Sequence, residues 1–121
     1  MNYLYIGLGG FFGAISRYQI TKWVSQGWPG KMPYGTLAVN VLGSFIIGIL
    51  LGLSLIRERE SLKLFLATGF LGALTTFSTF SYETVGLISS GDTGKAGLNI
   101  VLNVIFSVSA AGLGLWLTRS L

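Results

Sequence analysis

Four long hydrophobic stretches, separated by short polar segments, dominate the pattern along the chain. Charged residues are absent from positions 1–16 and from three later gaps of about 20 residues, Lys31 to Arg57, Lys63 to Glu83 and Lys95 to Arg119. A membrane-spanning helix needs about 20 mainly apolar residues. The pattern therefore predicts an all-α membrane protein with four transmembrane helices, at about 2–25, 33–56, 62–88 and 95–119. Together they form one predicted domain over residues 1–121.

The third predicted span contains an unusual run of hydroxyl side chains. Five of the seven residues at 75–81 are Ser or Thr, and Gly69 and Gly72 come just before them. β-Branched Thr and Gly weaken a helix, and Ser and Thr compete for backbone hydrogen bonds. The run predicts a third helix that is broken near the membrane centre. At that depth a broken backbone must be buried in protein or line a cavity, and its freed carbonyls can hold a cation.

Polar residues recur every four positions in the second and fourth spans. The two stripes are Thr36, Asn40 and Ser44, and Asn99, Asn103 and Ser107. Each stripe lies on one helix face, and a buried amide without a partner is costly, so both faces are expected to point inward. Two interpretations remain open for Asn40, a hydrogen bond between helices or contact with a solute. The fourth-span stripe likewise has two interpretations, packing against the second or third span or lining a path for a solute.

Three further residues allow both a structural and a functional interpretation. Arg17 lies near a helix end, where it can reach the headgroups or attract an anion into an aqueous vestibule. Phe77 and Phe80 share a helix face, as core or lipid-facing residues commonly do. The interior therefore offers amides, hydroxyls and one Arg, with Glu83 as its only acid. Such a lining suits an anion or a neutral polar solute better than protons or metal cations.

Composition narrows the function further. The 121 residues are 51% hydrophobic and 10% charged, with a mean hydropathy of +0.70, whereas soluble domains have about 25% charged residues. The absence of Cys and His excludes thiol chemistry, disulfides and a His general base. Only four acids remain, so we do not expect an enzyme. The eight Lys and Arg are scattered rather than clustered, so we expect no nucleic-acid binding.

Basic residues are nearly balanced between the two predicted sides of the membrane. One side carries Arg57, Arg59, Lys63 and Arg119, and the other carries Lys22, Lys31 and Lys95. Orientation normally follows an excess of Lys and Arg on the cytoplasmic side. The near balance predicts insertion in both orientations and an antiparallel homodimer, and the alternative is one fixed orientation set by a modest bias.

Short motifs recur in order along the first three spans, namely GGFFGA at 9–14 with Arg17 and Tyr18, GTLAVN at 35–40 with GSF at 43–45, and GFLG at 69–72 with TTFSTFS at 75–81 and Glu83. In order and spacing these motifs resemble the Fluc (CrcB) family of fluoride channels, and the resemblance covers nearly the whole chain. The resemblance implies an antiparallel dual-topology homodimer with two fluoride pores at the subunit interface. It also implies passive, selective fluoride export across the inner membrane of a prokaryote, which relieves fluoride toxicity.

The resemblance implies roles for individual residues. Phe77 and Phe80 would be the pore phenylalanines, Asn40 would donate a hydrogen bond to fluoride, and Arg17 would line the vestibule. A polar track would comprise Thr76, Ser78, Thr79, Ser81, Asn103 and Ser107. Carbonyls of Gly72 and Thr75 from both subunits would hold one structural sodium ion. Glu83 matches a family acid without an assigned role, and Asn103 stands where family members often carry Tyr.

Two rival functions fit a small four-span protein. An exporter of the small multidrug-resistance type is also a four-span, dual-topology dimer, but it exchanges protons through an acid in its first span. The first span here has no acid. An accessory subunit would use the polar stripes only for assembly. Ionic flux through the purified protein alone distinguishes these classes.

Overall fold

The computed structural model describes residues 1–121 and contains helices and turns but no β-strand. The helices are α1 (Asn2–Gly27), α2 (Tyr34–Gly52), α3 (Ser54–Glu58), α4 (Glu60–Lys63), α5 (Gly72–Leu74), α6 (Phe77–Ser89) and α7 (Thr93–Thr118). A π-helical segment, Leu64–Leu71, joins α4 to α5. The prediction of an all-α protein is confirmed.

Three stretches are long and apolar enough to cross a membrane. They are Tyr34–Gly52, Glu60–Ser89 and Thr93–Thr118. At 26 residues, α1 is as long as α7, and at about 1.5 Å per residue it could also span a hydrocarbon core of about 30 Å. It is less apolar than the other three, however. The chain is thus a helical membrane protein with three apolar spans, and a fourth crossing by α1 stays a prediction.

The second predicted span, 33–56, is divided in the structure. Helix α2 ends at Gly52, Leu53 is extended (φ −88°, ψ 126°), and α3 begins at Ser54. Gly52 is pressed against Thr118 of α7, leaving no room for a side chain. The Thr118 hydroxyl donates to the carbonyl of Ile49 at 3.1 Å. Because glycine is a weak helix former, this contact point is also where the helix stops.

The third predicted span is interrupted at the hydroxyl-rich run. Thr75 (φ −86°, ψ 157°) and Thr76 (φ −150°, ψ 123°) are both extended, between the end of α5 and the start of α6. The Thr76 hydroxyl accepts a hydrogen bond from the Thr79 N–H at 3.1 Å and so caps α6. The break lies midway along Glu60–Ser89, as the sequence predicted.

Glycines allow two close helix contacts within the chain. At Gly48 of α2 an added side chain would overlap the carbonyl of Ala111 of α7, and at Gly9 of α1 it would overlap that of Phe65 in the π-helical segment. Small residues at such contacts are typical of helix packing in membranes. Helices α2 and α7 therefore form one close pair, and α1 forms another with the first part of the third span.

Little of the chain is buried within itself. The apolar core is a small cluster of Val39, Leu71 and Leu74, and only 21 of 121 residues are buried. Large hydrophobic side chains such as Tyr3 and Phe77 are exposed. An exposed apolar surface on this scale requires lipid or another subunit to cover it.

An ion pair joins the α1–α2 and α6–α7 connections. After α6, the Gly91 and Asp92 N–H groups donate to the carbonyls of Ile88 and Leu87, and Gly91 has a φ of +88°. This Schellman ending presents Asp92 to Lys31, whose Nζ lies 2.8 Å from the carboxylate. The two connections therefore lie at the same end of the molecule.

Candidate functional site

A groove of about 350 Å³ lies beside the helix break. Its walls come from α2, the π-helical segment and α5, the break, the start of α6, and α7. Its lining brings together nine residues that the sequence analysis singled out, Asn40, Ser44, Gly72, Thr75, Thr76, Phe77, Phe80, Asn103 and Ser107. We call this cavity the amide groove.

A second groove, of about 490 Å³, lies on the α1 side of the break. Arg17 and Lys22 of α1 and Thr79 of α6 line it, and we call it the cationic groove. Thr76 lines both grooves, so both border the helix break. Neither groove has an acidic side chain. The two positive charges and the absence of acids favour an anion.

Arg17 is tied to the broken helix. Its Nε donates to the carbonyl of Ala73 in α5 at 2.9 Å, and this is its only hydrogen bond within the chain. The bond directs the guanidinium to the protein interior instead of to the headgroups. It leaves the other guanidinium N–H groups available to a ligand in the cationic groove.

Asn40 holds the helix break from α2. Its Oδ1 accepts the Thr76 N–H at 2.8 Å, while its Nδ2 donates to the Thr76 carbonyl at 3.2 Å and to Asn103 Oδ1 at 3.0 Å. Both N–H groups of the amide are therefore engaged. The hydrogen bond between helices, which is one of the two interpretations of Asn40, is present in the structure.

The two phenylalanines stand at the mouth of the amide groove. Their ring centroids are 5.4 Å apart, and the planes are tilted by 54°. Phe77 is 78% exposed and Phe80 is 8% exposed. The Phe77 ring thus presents a face or an edge that nothing in the chain covers.

The Ser107 side chain lines the amide groove, and its hydroxyl makes no hydrogen bond within the chain. The Oγ atom is buried. Buried polar atoms without a partner are rare in folded proteins, so such an atom in a cavity is a candidate ligand contact. A hydroxyl can donate to an anion.

Three of the predicted site residues line neither groove. The Ser78 hydroxyl lies 3.3 Å from that of Thr76, and the Ser81 hydroxyl donates to the Phe77 carbonyl at 2.9 Å. Glu83 lies further along α6, where its buried Oε1 has no hydrogen-bond partner in the chain. The grooves thus contain only part of the predicted polar track.

The backbone at the break fits the implied sodium site. In an uninterrupted helix the Thr76 N–H would bond to the carbonyl of Gly72, but it donates to Asn40 instead. The Thr75 carbonyl accepts no hydrogen bond in the chain. Carbonyls freed at a broken helix are the oxygen ligands that sodium takes in transporters. Gly72 and Thr75 of one chain supply two such carbonyls, so the implied cage of four requires a second copy.

Two residues outside the predicted site belong to its hydrogen-bond network. The Asn103 Nδ2 donates to Asn99 Oδ1 at 3.0 Å, and the Asn99 Nδ2 donates to Thr84 Oγ1 at 3.0 Å. The four-residue spacing of Asn99 and Asn103 signalled a common face. Nothing in the sequence placed Thr84 opposite Asn99, because that contact depends on how α6 packs on α7.

Comparison with known proteins agrees with this arrangement. The family described as CrcB-like protein, Camphor Resistance (CrcB), matches residues 4–115. A protein of Syntrophotalea carbinolica is 46% identical over 123 residues, covering all of both chains. One from Methanocaldococcus jannaschii is 57% identical over 105 residues, covering 84% of this chain and 82% of the relative.

A third relative, from Nitratiruptor, is 52% identical over 105 residues, covering 87% of this chain and 82% of its own. All three relatives are named fluoride-specific ion channel FluC. The family match covers nearly the whole chain and includes the helix break and both grooves. This chain belongs to the CrcB-like family.

Proposed function

We propose that this protein is a fluoride channel of the inner membrane of a prokaryote. This proposal depends mainly on the observation that Thr76, at the helix break, lines both the cationic groove and the amide groove. An anion attracted by Arg17 and Lys22 thereby meets hydroxyl and amide groups without passing an acid. The identity of the anion comes from the relatives, which are named fluoride-specific channels and come from prokaryotes.

The working channel is an antiparallel homodimer with two pores. Phe77 lines the amide groove and is 78% exposed, so a second copy could cover it and complete the wall of the groove. The near balance of basic residues between the two sides supports insertion in both orientations. In this arrangement α1 supplies the fourth span, and its Arg17 lines the vestibule.

The residues of the two grooves and of the helix break have different roles in the proposed channel. Phe77 and Phe80 present ring edges, which carry the positive part of the aromatic quadrupole, to fluoride. Ser107 and the hydroxyls of Thr76 and Thr79 replace water around the ion. Asn40 orients the break and donates to fluoride only when one of the two hydrogen bonds that its Nδ2 donates opens. Carbonyls of Gly72 and Thr75 from both subunits hold a structural sodium ion.

Transport is passive. Fluoride enters a cell from acidic surroundings as neutral HF and dissociates at the higher internal pH, where the bare anion crosses lipid poorly. A negative-inside potential drives the anion outward by about 2.3 kcal/mol per charge per 100 mV. A pore is therefore sufficient to relieve fluoride toxicity, and a proton-coupled exporter is not favoured because α1 contains no acid.

The test is fluoride efflux from liposomes that contain only this purified protein. We expect efflux, followed with a fluoride electrode, to begin when a potassium ionophore releases the membrane potential, and chloride-loaded liposomes to release no chloride. Efflux that starts without the ionophore and follows a proton gradient would indicate an exporter. No efflux from well-folded protein would reject the channel and favour an accessory role.

A further inference from the structure

A chain of hydrogen bonds starts and ends on the segment that carries the two phenylalanines. It runs from the Thr76 N–H to Asn40 on α2, to Asn103 and Asn99 on α7, and back to α6. There the Thr84 hydroxyl donates to the carbonyl of Phe80 at 2.8 Å. We call it the amide relay, and its six members are Thr76, Asn40, Asn103, Asn99, Thr84 and Phe80.

The direction of every bond in the amide relay is fixed by its two ends. The Phe80 carbonyl can only accept, so the Thr84 hydroxyl must donate to it and can take only an N–H from Asn99. Asn99 therefore turns its Oδ1 to Asn103, and Asn103 turns its Oδ1 to Asn40. At the other end, the Thr76 N–H can only donate, which requires Asn40 to present Oδ1. Both ends thus demand the same orientation of all three amides.

The amide relay is deeply buried at its centre. Asn99 is 1% exposed, Asn103 is 6% exposed and Thr84 is 7% exposed. Asn103 also donates to the Asn99 backbone carbonyl at 2.9 Å. A deeply buried amide that loses a hydrogen-bond partner cannot replace it with water. The loss of a partner at one end of the relay therefore alters the hydrogen bonds of the next amide, and the change passes along the relay.

We infer that Asn99 and Thr84 are positioning residues that fix the orientation of the Asn40 amide at the helix break and hold Phe80 against α7. Neither residue lines the amide groove or the cationic groove. They act through Asn103 and Asn40, which the groove does contain. The expected effect on fluoride efflux rests on the proposed function. The expected effect on the orientation of the amides does not.

The first measurement uses the unmodified protein and needs no variant. The chain has four asparagines, so protein labelled with ¹⁵N at asparagine gives four side-chain amide signals in a lipid nanodisc. We expect slow hydrogen exchange at Asn40, Asn99 and Asn103, and fast exchange at exposed Asn2. Fast exchange at Asn99 or Asn103 would overturn the amide relay.

The second measurement compares Thr84→Val with Thr84→Ser. The Val variant keeps the shape of the side chain but removes the acceptor for Asn99, whereas the Ser variant retains it. We expect Thr84→Val to shift the amide signals of Asn99, Asn103 and Asn40 and to leave Asn2 unchanged. The Ser variant should restore all of them. A shift confined to Asn99 would show that the amides are not coupled.

The functional consequence is measured by fluoride efflux per folded protein. We expect Thr84→Val to lower efflux about tenfold, the scale of one orphaned buried amide, and Thr84→Ser to restore it. Ser109→Ala, on the exposed face of α7, is the matched control. If the amide signals shift together but the Val and Ser variants show equal efflux, the positioning role is overturned. If the unmodified protein conducts no fluoride, the proposed function fails, and the amide signals still test whether the amide relay exists.

Discussion

Phe77 and Phe80 differ greatly in exposure although they lie one helical turn apart. Phe80 is 8% exposed and its backbone carbonyl takes part in the amide relay, whereas Phe77 is 78% exposed. The same substitution should therefore have different structural costs at the two positions. Truncation at an exposed position costs little, while a change of shape in a packed core costs up to about 1.5 kcal/mol.

At the residue scale, we expect Phe77→Ile and Phe80→Ile each to lower fluoride efflux by about tenfold or more, because an aliphatic side chain lacks the positive ring edge. Only Phe80→Ile should also lower the free energy of unfolding, by about 1 kcal/mol. Efflux assays and thermal unfolding in detergent measure the two effects separately.

The matched control is Tyr82→Ile, because Tyr82 is an 80% exposed aromatic residue on the same helix that lines neither groove. It should conduct like the unmodified protein. Unchanged efflux in both phenylalanine variants would remove these residues from the pore.

At the element scale, an ion pair joins the α1–α2 connection to the α6–α7 connection. Lys31, in the α1–α2 connection, lies 2.8 Å from the Asp92 carboxylate in the α6–α7 turn. The hydrogen bond from Lys31 lowers the pKa of Asp92 below its ordinary value of 3.8, with smaller contributions from Ser90 and Lys95. Because the pKa is depressed in the folded state, the contact stabilises the protein above about pH 4 and is lost as the pH falls.

We expect Asp92→Asn to lower the thermal unfolding midpoint slightly at pH 7 and to have no effect near pH 2, where the carboxylate of the unmodified protein is also protonated. The change is small because the pair is exposed to solvent. Glu60→Gln, which removes the exposed Lys63 pair at 3.5 Å within one element, is the control and should change the midpoint less. An equal effect of Asp92→Asn at both pH values would exclude the ion pair as its cause.

The sequence predicted some elements well for identifiable physical reasons. Charge-free gaps of membrane length located the apolar spans, and the hydroxyl run at 75–81 located the break. The π-helical segment has no comparable signature in the sequence, and the glycines of α1 contact its backbone at Phe65 and Phe70. The early end of α2 at Gly52 likewise depends on Thr118, which is distant along the chain.

The candidate site was predictable where polar residues recur at helical spacing. Asn40, Asn103 and Ser107 were found in this way, and all three line the amide groove. Ser78 and Ser81 were placed in the polar track by the family resemblance, and the sequence does not show on which side of α6 each one lies. Thr84 was missed because its partner is on another helix.

At the scale of the whole molecule, most of the apolar surface of the chain is uncovered. Only 21 of its 121 residues are buried. The proposed homodimer would cover part of this surface, and carbonyls from two chains would enclose the proposed sodium ion. Sodium bound only by the assembled protein would stabilise it by mass action.

We expect replacement of sodium by a large organic cation to lower the thermal midpoint of the purified protein, with one sodium bound per two chains if the proposed homodimer is correct. Gly43→Ala should weaken this dependence, because the added methyl would overlap the Thr75 side chain and displace the backbone at the break. Thermal unfolding across a sodium titration measures both effects.

Gly86→Ala is the control, since nothing lies within 4 Å of a side chain added at that position. A midpoint that is independent of sodium in the unmodified protein would reject the structural cation without affecting the assignment of the grooves.

The closed course of the amide relay has a consequence for how the sequence can vary. Replacing Asn99 alone removes the side-chain acceptor of Asn103, and replacing Asn103 alone removes an acceptor of Asn40 and the donor to Asn99 Oδ1. Each single exchange therefore costs a hydrogen bond at a neighbouring amide, and the three positions are expected to change together among relatives. A relative that lacks the amide at 103 should also lack it at 99, with an apolar residue in place of Thr84.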